Sequence, residues 1–122
     1  MPVGAPRAPA KRPLEPCYLK RADRFIREHL GEPLPVTRLA RYCGVSSRTL
    51  EKAFAEARGL TPVAQVRNMR LDHAHHALQN GDVSVATIAA RCGFRSSTTF
   101  ALEYRKRFGM APSRTKRAAR NP

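Results

Sequence analysis

The sequence predicts an all-α protein: two helix-turn-helix modules joined by a long central helix, about seven helices in all. Two observations carry this prediction. Residues 61–81, TPVAQVRNMRLDHAHHALQNG, read as one helix with both ends marked. Thr61 suits the cap, Pro62 fits the first turn where its missing N–H costs nothing, and Asn80-Gly81 suits a left-handed stop. The chain also repeats on either side of this rod, with Leu39, Ala40, Cys43 and Gly44 matched by Ile88, Ala89, Cys92 and Gly93 at an offset of 49 residues. After one extra residue in the second copy, Leu50, Phe54, Gly59 and Pro62 are matched by Phe100, Tyr104, Gly109 and Pro112 at an offset of 50. Two copies are too few for a solenoid, so the repeat is read as a duplicated module.

Residues 1–16 are proline-rich and basic with little to bury, and are expected to form a disordered tail or linker. The first module is assigned to residues 17–60. A helix over 17–30 turns Leu19, Ala22, Phe25, Ile26 and Leu30 inward and is stopped by Gly31, with Arg24 and Glu28 spaced for an i, i+4 pair. His29 is expected at its C-terminal end. A supporting helix over 36–42 carries Ala40 where another helix must approach closely, and ends at Gly44. Val45 plugs the turn and Ser46 caps a second helix over 46–58, with Leu50 and Phe54 facing inward at i and i+4. This is the helix-turn-helix plan.

The rod follows over 61–81 with Val63, Val66, Leu71, Ala74, Ala77 and Leu78 as its apolar stripe. His73, His75 and His76 are assigned to its exposed face, and Arg67 and Arg70 to structural roles, their stems covering apolar surface and their heads bonding helix ends. The second module, 82–118, repeats the plan. Its supporting helix spans 83–90, capped by Asp82 or Ser84, and its second helix spans 96–108, capped by Ser96, with Phe94 in the turn. A short closing helix over 110–117 follows, and residues 119–122 are expected to fray.

The chain has 122 residues, of which 23 are Lys or Arg and 9 are Asp or Glu, giving a formal net charge of +14. The tails, 1–16 and 113–122, account for +6, so residues 17–112 are themselves basic by +8. Such a balance favours a polyanionic partner. Cys17, Cys43 and Cys92 are dispersed and odd in number, which implies neither a disulfide framework nor a zinc knuckle. Cys43 and Cys92 hold equivalent places in the repeat and are read as small buried residues, while Cys17 lies nearer the surface. Asp72 and His76 are spaced i, i+4, but no H-E-x-x-H or carboxylate–cysteine cluster accompanies them, so no metal and no cofactor is expected. Paired carboxylates, a nucleophile–base pattern and a phosphate-binding glycine loop are likewise missing from the pattern, so an enzyme is not expected. No signal-peptide core and no apolar run of about 18 residues occurs, and a cytoplasmic, nucleoid-associated location without membrane contact is expected.

The blocks LAxxxGVSxRTLxxxF (residues 39–54), GLTP (59–62), RLxxA (70–74), IAxxCGF (88–94) and FxxxYRKRFGxxP (100–112) resemble the DNA-binding domain of the AraC/XylS transcription regulators, over roughly 80% of the chain. Gln65 stands where the family's rod carries an aromatic, Thr115-Lys116 where it closes with tyrosine–arginine, and Leu102 where many members carry a polar or basic reading residue. The resemblance implies double-stranded DNA as the partner and regulation of transcription, usually activation through RNA polymerase. It also implies an effector or dimerisation domain in many members, which here would lie N-terminal to residue 17. The linker-like start fits either the C-terminal piece of a longer regulator or a small complete one beginning at Met1.

Groove reading fits the outward residues of the two recognition helices. On the first, Arg48, Glu51 and Lys52 occupy the positions the family pattern gives to base contacts. Arginine can pair with guanine O6 and N7, glutamate accepts from cytosine N4, and lysine reaches guanine or phosphate. On the second, Ser97, Thr98, Ala101 and Leu102 face outward, and hydroxyl or methyl groups suit an A·T-tolerant half-site. Ser46, Ser47 and Ser96 at the helix starts, with Arg95, Arg105, Lys106 and Arg107, are expected on phosphate. The competing class is a non-specific or architectural DNA-binding and bending protein driven by counterion release.

Overall fold

The computed structural model describes residues 15–81 and 83–120. The tail before Glu15, Asp82 as a cap and the last two residues lie outside the described residues. Among the described residues there are seven helices and no strand: α1 (Cys17–Glu28), α2 (Val36–Cys43), α3 (Ser47–Arg58), α4 (Pro62–Gln79), α5 (Val85–Arg91), α6 (Ser97–Phe108) and α7 (Pro112–Arg120).

The repeat is visible in the hydrogen bonds. At the end of α2, Gly44 N–H donates to the Arg41 carbonyl at 3.2 Å and Val45 N–H to the Ala40 carbonyl at 3.0 Å. At the end of α5, Gly93 N–H donates to Ala90 at 3.1 Å and Phe94 N–H to Ala89 at 3.0 Å. Both are the same paired closure around a glycine, at φ +75 and +93, where a side chain would be strained. Serine or threonine caps α3, α4, α5 and α6. Thr49 N–H donates to Ser46 Oγ at 3.1 Å, Ala64 N–H to Thr61 Oγ1 at 3.0 Å, Thr87 N–H to Ser84 Oγ at 3.1 Å and Thr99 N–H to Ser96 Oγ at 3.3 Å.

The rod serves two separate cores. Val66 joins Leu19, Ile26, Leu39, Leu50 and Phe54. Leu71, Ala74 and Leu78 join Ile88, Cys92, Phe100 and Tyr104. At ~100° per residue, Val66 and Leu71 point roughly 140° apart around the helix axis, so the modules pack on different sides of α4. This is why the apolar positions of the rod do not form the single stripe expected of them. Val63, counted in that stripe, is 57% exposed.

Other details also differ from expectation. α1 ends at Glu28, with His29 as its C-cap, rather than running to the Gly31 stop. Phe25 and Leu30 are half-buried. α7 begins at Pro112 and continues to Arg120, past the point where fraying was expected. Arg24 and Glu28 do approach, at 3.8 Å. Cys17 is exposed, whereas Cys43 and Cys92 are buried, and burial pushes both thiols up from their ordinary pKa.

His75 is not on an exposed face. It lies one turn from Leu71 and from Leu78, so it turns toward the second core. Its Nδ1 is 2.7 Å from the Tyr104 hydroxyl and its ring stacks on Phe108 at 4.3 Å. The Tyr104 hydroxyl in turn donates to Thr115 Oγ1 at 2.8 Å. Thr115, where the family pattern has a tyrosine, is thus a buried partner closing α7 onto α6. Replacing it with the isosteric valine (Thr115→Val) leaves the buried hydroxyl short of one partner. A loss of about 1–3 kcal/mol is expected, read as a lower urea midpoint at unchanged slope.

Candidate nucleic-acid interface

Two helices, each capped by serine and backed by a supporting helix that buries one face, present their outer faces to solvent. On α3, Leu50, Ala53 and Phe54 are buried, which turns Arg48, Glu51 and Lys52 outward. Among the described residues none of these three side chains is engaged in an ion pair or hydrogen bond. The Ser46 hydroxyl is committed to its cap and donates to Thr49 Oγ1 at 2.9 Å, and Ser47 is half-buried.

On α6, Phe100 and Tyr104 are fully buried and Ser97, Thr98, Ala101 and Leu102 are exposed, Leu102 by 58%. Ser96 is the cap. Arg95 and Arg105 are exposed. Lys106 lies 3.6 Å from Glu103, which Arg67 of the rod also approaches at 3.6 Å. Arg107, expected on phosphate, is exposed and paired within the chain. It forms a two-bond fork with Asp72 on α4, Nε to Oδ1 at 2.7 Å and Nη2 to Oδ2 at 3.0 Å. Asp72 faces outward from the rod beside α6, so the nearest anion for Arg107 is intramolecular.

Two groups of interacting side chains lay beyond sequence reasoning because their members are far apart in the chain. Arg58 forks onto both Glu15 and Asp23 with four hydrogen bonds of 2.8–2.9 Å. Gln65 donates to the same Asp23 at 2.8 Å, so the residue standing in place of an aromatic extends this network. Arg70 was legible as structural, but its partners, the carbonyls of Leu30 and Glu32, were not. Among the described residues no group of three or more His, Cys, Asp or Glu could hold a metal ion, and no helix is long and apolar enough to cross a membrane.

The geometry defines a protein with two helix-turn-helix modules on one rod, each offering the outer face of a capped helix from a strongly basic chain. A family model described as a helix-turn-helix domain matches residues 39–118. The solved structure of a transcriptional regulator with an AraC-type DNA-binding domain from Chromobacterium violaceum is 31% identical, with a TM-score of 0.81, over 87% of this chain and 95% of that one. The chain belongs to the AraC/XylS family of DNA-binding transcription regulators, which is not an enzyme family. The DNA-binding domain of AdpA, described as a global transcriptional factor and solved in complex with a target DNA, is 32% identical with a TM-score of 0.77, over 85% of this chain and 96% of that one. The virulence regulon transcriptional activator VirF of Yersinia enterocolitica is 32% identical over 97 residues, 80% of this chain. The chain spans 36% of VirF, about a third of such full-length relatives.

Proposed function

We propose that this chain reads two adjacent major-groove segments of double-stranded DNA, one with α3 and one with α6, to regulate transcription. The observation that supports this best is the duplication itself: two equivalent capped helices, each presenting an exposed outer face. Arg48, Glu51 and Lys52 read bases in the first segment, and Ser97, Thr98, Ala101 and Leu102 read the second. Ser46, Ser47, Ser96, Arg95, Arg105, Lys106 and Arg107 lie against phosphate, Arg107 also tying α6 to the rod through Asp72. RNA polymerase is the protein partner, activation the direction of control, and the nucleoid of a bacterial cytoplasm the location.

The uncharged face of α6 and the charge of +14 favour a second reading, a non-specific DNA coat or bender. Affinity alone does not separate the two, because phosphate contacts dominate both. About six such contacts give a log–log salt slope of roughly −5 in either case. A titration against a promoter fragment and against random-sequence DNA at one salt concentration does separate them. The expected result is the same steep salt dependence with a preference of at least ~10³ for the specific site. Equal affinities would leave the non-specific reading.

A further inference from the structure

Arg70 stands where the rod changes sides, between Val66, which belongs to the first core, and Leu71, which belongs to the second. Its guanidinium leaves the rod and enters the α1–α2 loop. Nε donates to the Leu30 carbonyl at 3.1 Å and Nη2 to the Glu32 carbonyl at 2.6 Å. The same loop is gripped from α2 by Arg38, whose Nη1 donates to the Pro33 carbonyl at 2.9 Å and Nη2 to Glu32 Oε1 at 2.8 Å. The loop is therefore held on two sides by forked donors.

Against this loop sits the turn of the second module, at backbone distance. A Cβ on Gly31 would lie 2.9 Å from the Arg91 carbonyl oxygen. A Cβ on Gly93 would lie 2.7 Å from the Leu30 carbonyl oxygen and 2.8 Å from Arg70 Cζ. The two modules thus touch at a point off the rod, through two glycines and one arginine. A rod alone fixes the distance between two modules but leaves bending and twisting about its axis. A second contact off the axis removes that freedom.

We propose that Arg70 and the Gly31–Gly93 contact set the half-site spacing the protein accepts, by locking the offset and rotation of α3 relative to α6. The inference rests on the two-segment reading above and assigns Arg70 as a positioning residue that touches no DNA. A rigid pair of readers gains from simultaneous engagement only where the linker geometry matches the site. A loosened pair spreads that gain over several spacings.

The test combines a spacing series with a distance measurement. The two DNA elements are separated by the selected spacing and by insertions of one to five base pairs, and binding is measured for the parent protein, Arg70→Ala and Gly31→Ala. In the parent, a half-turn insertion should lower affinity by about 100-fold. In Arg70→Ala the same insertion should cost only a few-fold, with the base preference of each element unchanged. Gly31→Ala leaves Arg70 itself unchanged but places a Cβ 2.9 Å from the Arg91 carbonyl oxygen, and should shift or broaden the optimum. Spin labels on Ala55→Cys and Ala101→Cys in a Cys17→Ser background report the α3–α6 distance without DNA. Its distribution should be narrow in the parent and broader in Arg70→Ala.

A uniform loss of affinity with the parent's spacing profile and the parent's distance distribution would overturn the inference and leave Arg70 as a stabilising residue only. If the parent protein itself selects no two-part site, the two-segment reading falls and spacing control falls with it.

Discussion

Arg58→Ala is expected to destabilise the first module by about 1–3 kcal/mol, between the scale of an exposed pair and that of a fully buried one, because the three charged side chains are half-buried. Arg58 is 18% exposed and is the only cation held by both Glu15 and Asp23 among the described residues. It ties the last turn of α3 to α1 and to the chain just before it, and its guanidinium lies 5.3 Å above the Phe54 ring. Its hydrogen bonds to Glu15 and Asp23 raise its own pKa, so it stays charged throughout the accessible range. Truncation strands Asp23, 18% exposed, with Gln65 as its remaining donor. The cost is read from chemical denaturation. The same network has a pH signature. The hydrogen bond from Arg58 holds the Glu15 carboxyl below its ordinary value of 4.5. A carboxylate with a depressed folded pKa contributes stability that is fully present above the unfolded value. That contribution is lost as pH falls through the lower folded value. The parent protein should therefore lose stability below pH 4.5 more steeply than Glu15→Gln does.

Arg48→Ala should weaken binding to the preferred site by about 10- to 100-fold, the equivalent of ~1–3 kcal/mol for one bidentate base contact. Its fold should be intact, because the side chain is exposed and makes no hydrogen bond or ion pair among the described residues. The loss should be confined to one base position in the element read by α3, with the salt slope almost unchanged. Arg105→Ala should do the reverse. It should weaken all sequences alike and reduce the magnitude of the slope by about 1. Measuring both variants on matched and mismatched duplexes checks the division between base reading and phosphate positioning.

Much of the fold was legible because its determinants are local. The paired glycine closures, the Ser46, Thr61 and Ser96 caps, and the inward i, i+4 pairs Leu50–Phe54 and Phe100–Tyr104 each depend on residues within one or two turns. The repeat then tied the local pieces into two modules. The outward positions Arg48, Glu51, Lys52, Ser97, Thr98, Ala101 and Leu102 followed from the inward ones by helical geometry. What escaped depends on residues brought together by packing. Arg58 meets Glu15 across 43 residues, and Arg107 meets Asp72 across 35. Periodicity placed neither pair. His75 was misplaced for a related reason. Counting along a single stripe treats the rod as having one buried face, whereas the change of side between Val66 and Leu71 gives it two.

The central claim, two helices reading two segments from one chain, is tested most directly by selecting bound sequences from a randomised duplex pool at ~0.15 M salt. The parent protein, Arg48→Ala and Thr98→Ala are run in parallel. The account predicts a motif of two elements about 10 base pairs apart, one turn of the duplex. Arg48→Ala should relax only the first element and Thr98→Ala only the second. Tight, salt-sensitive binding with no enriched motif, or a motif in which both substitutions relax the same element, would contradict it.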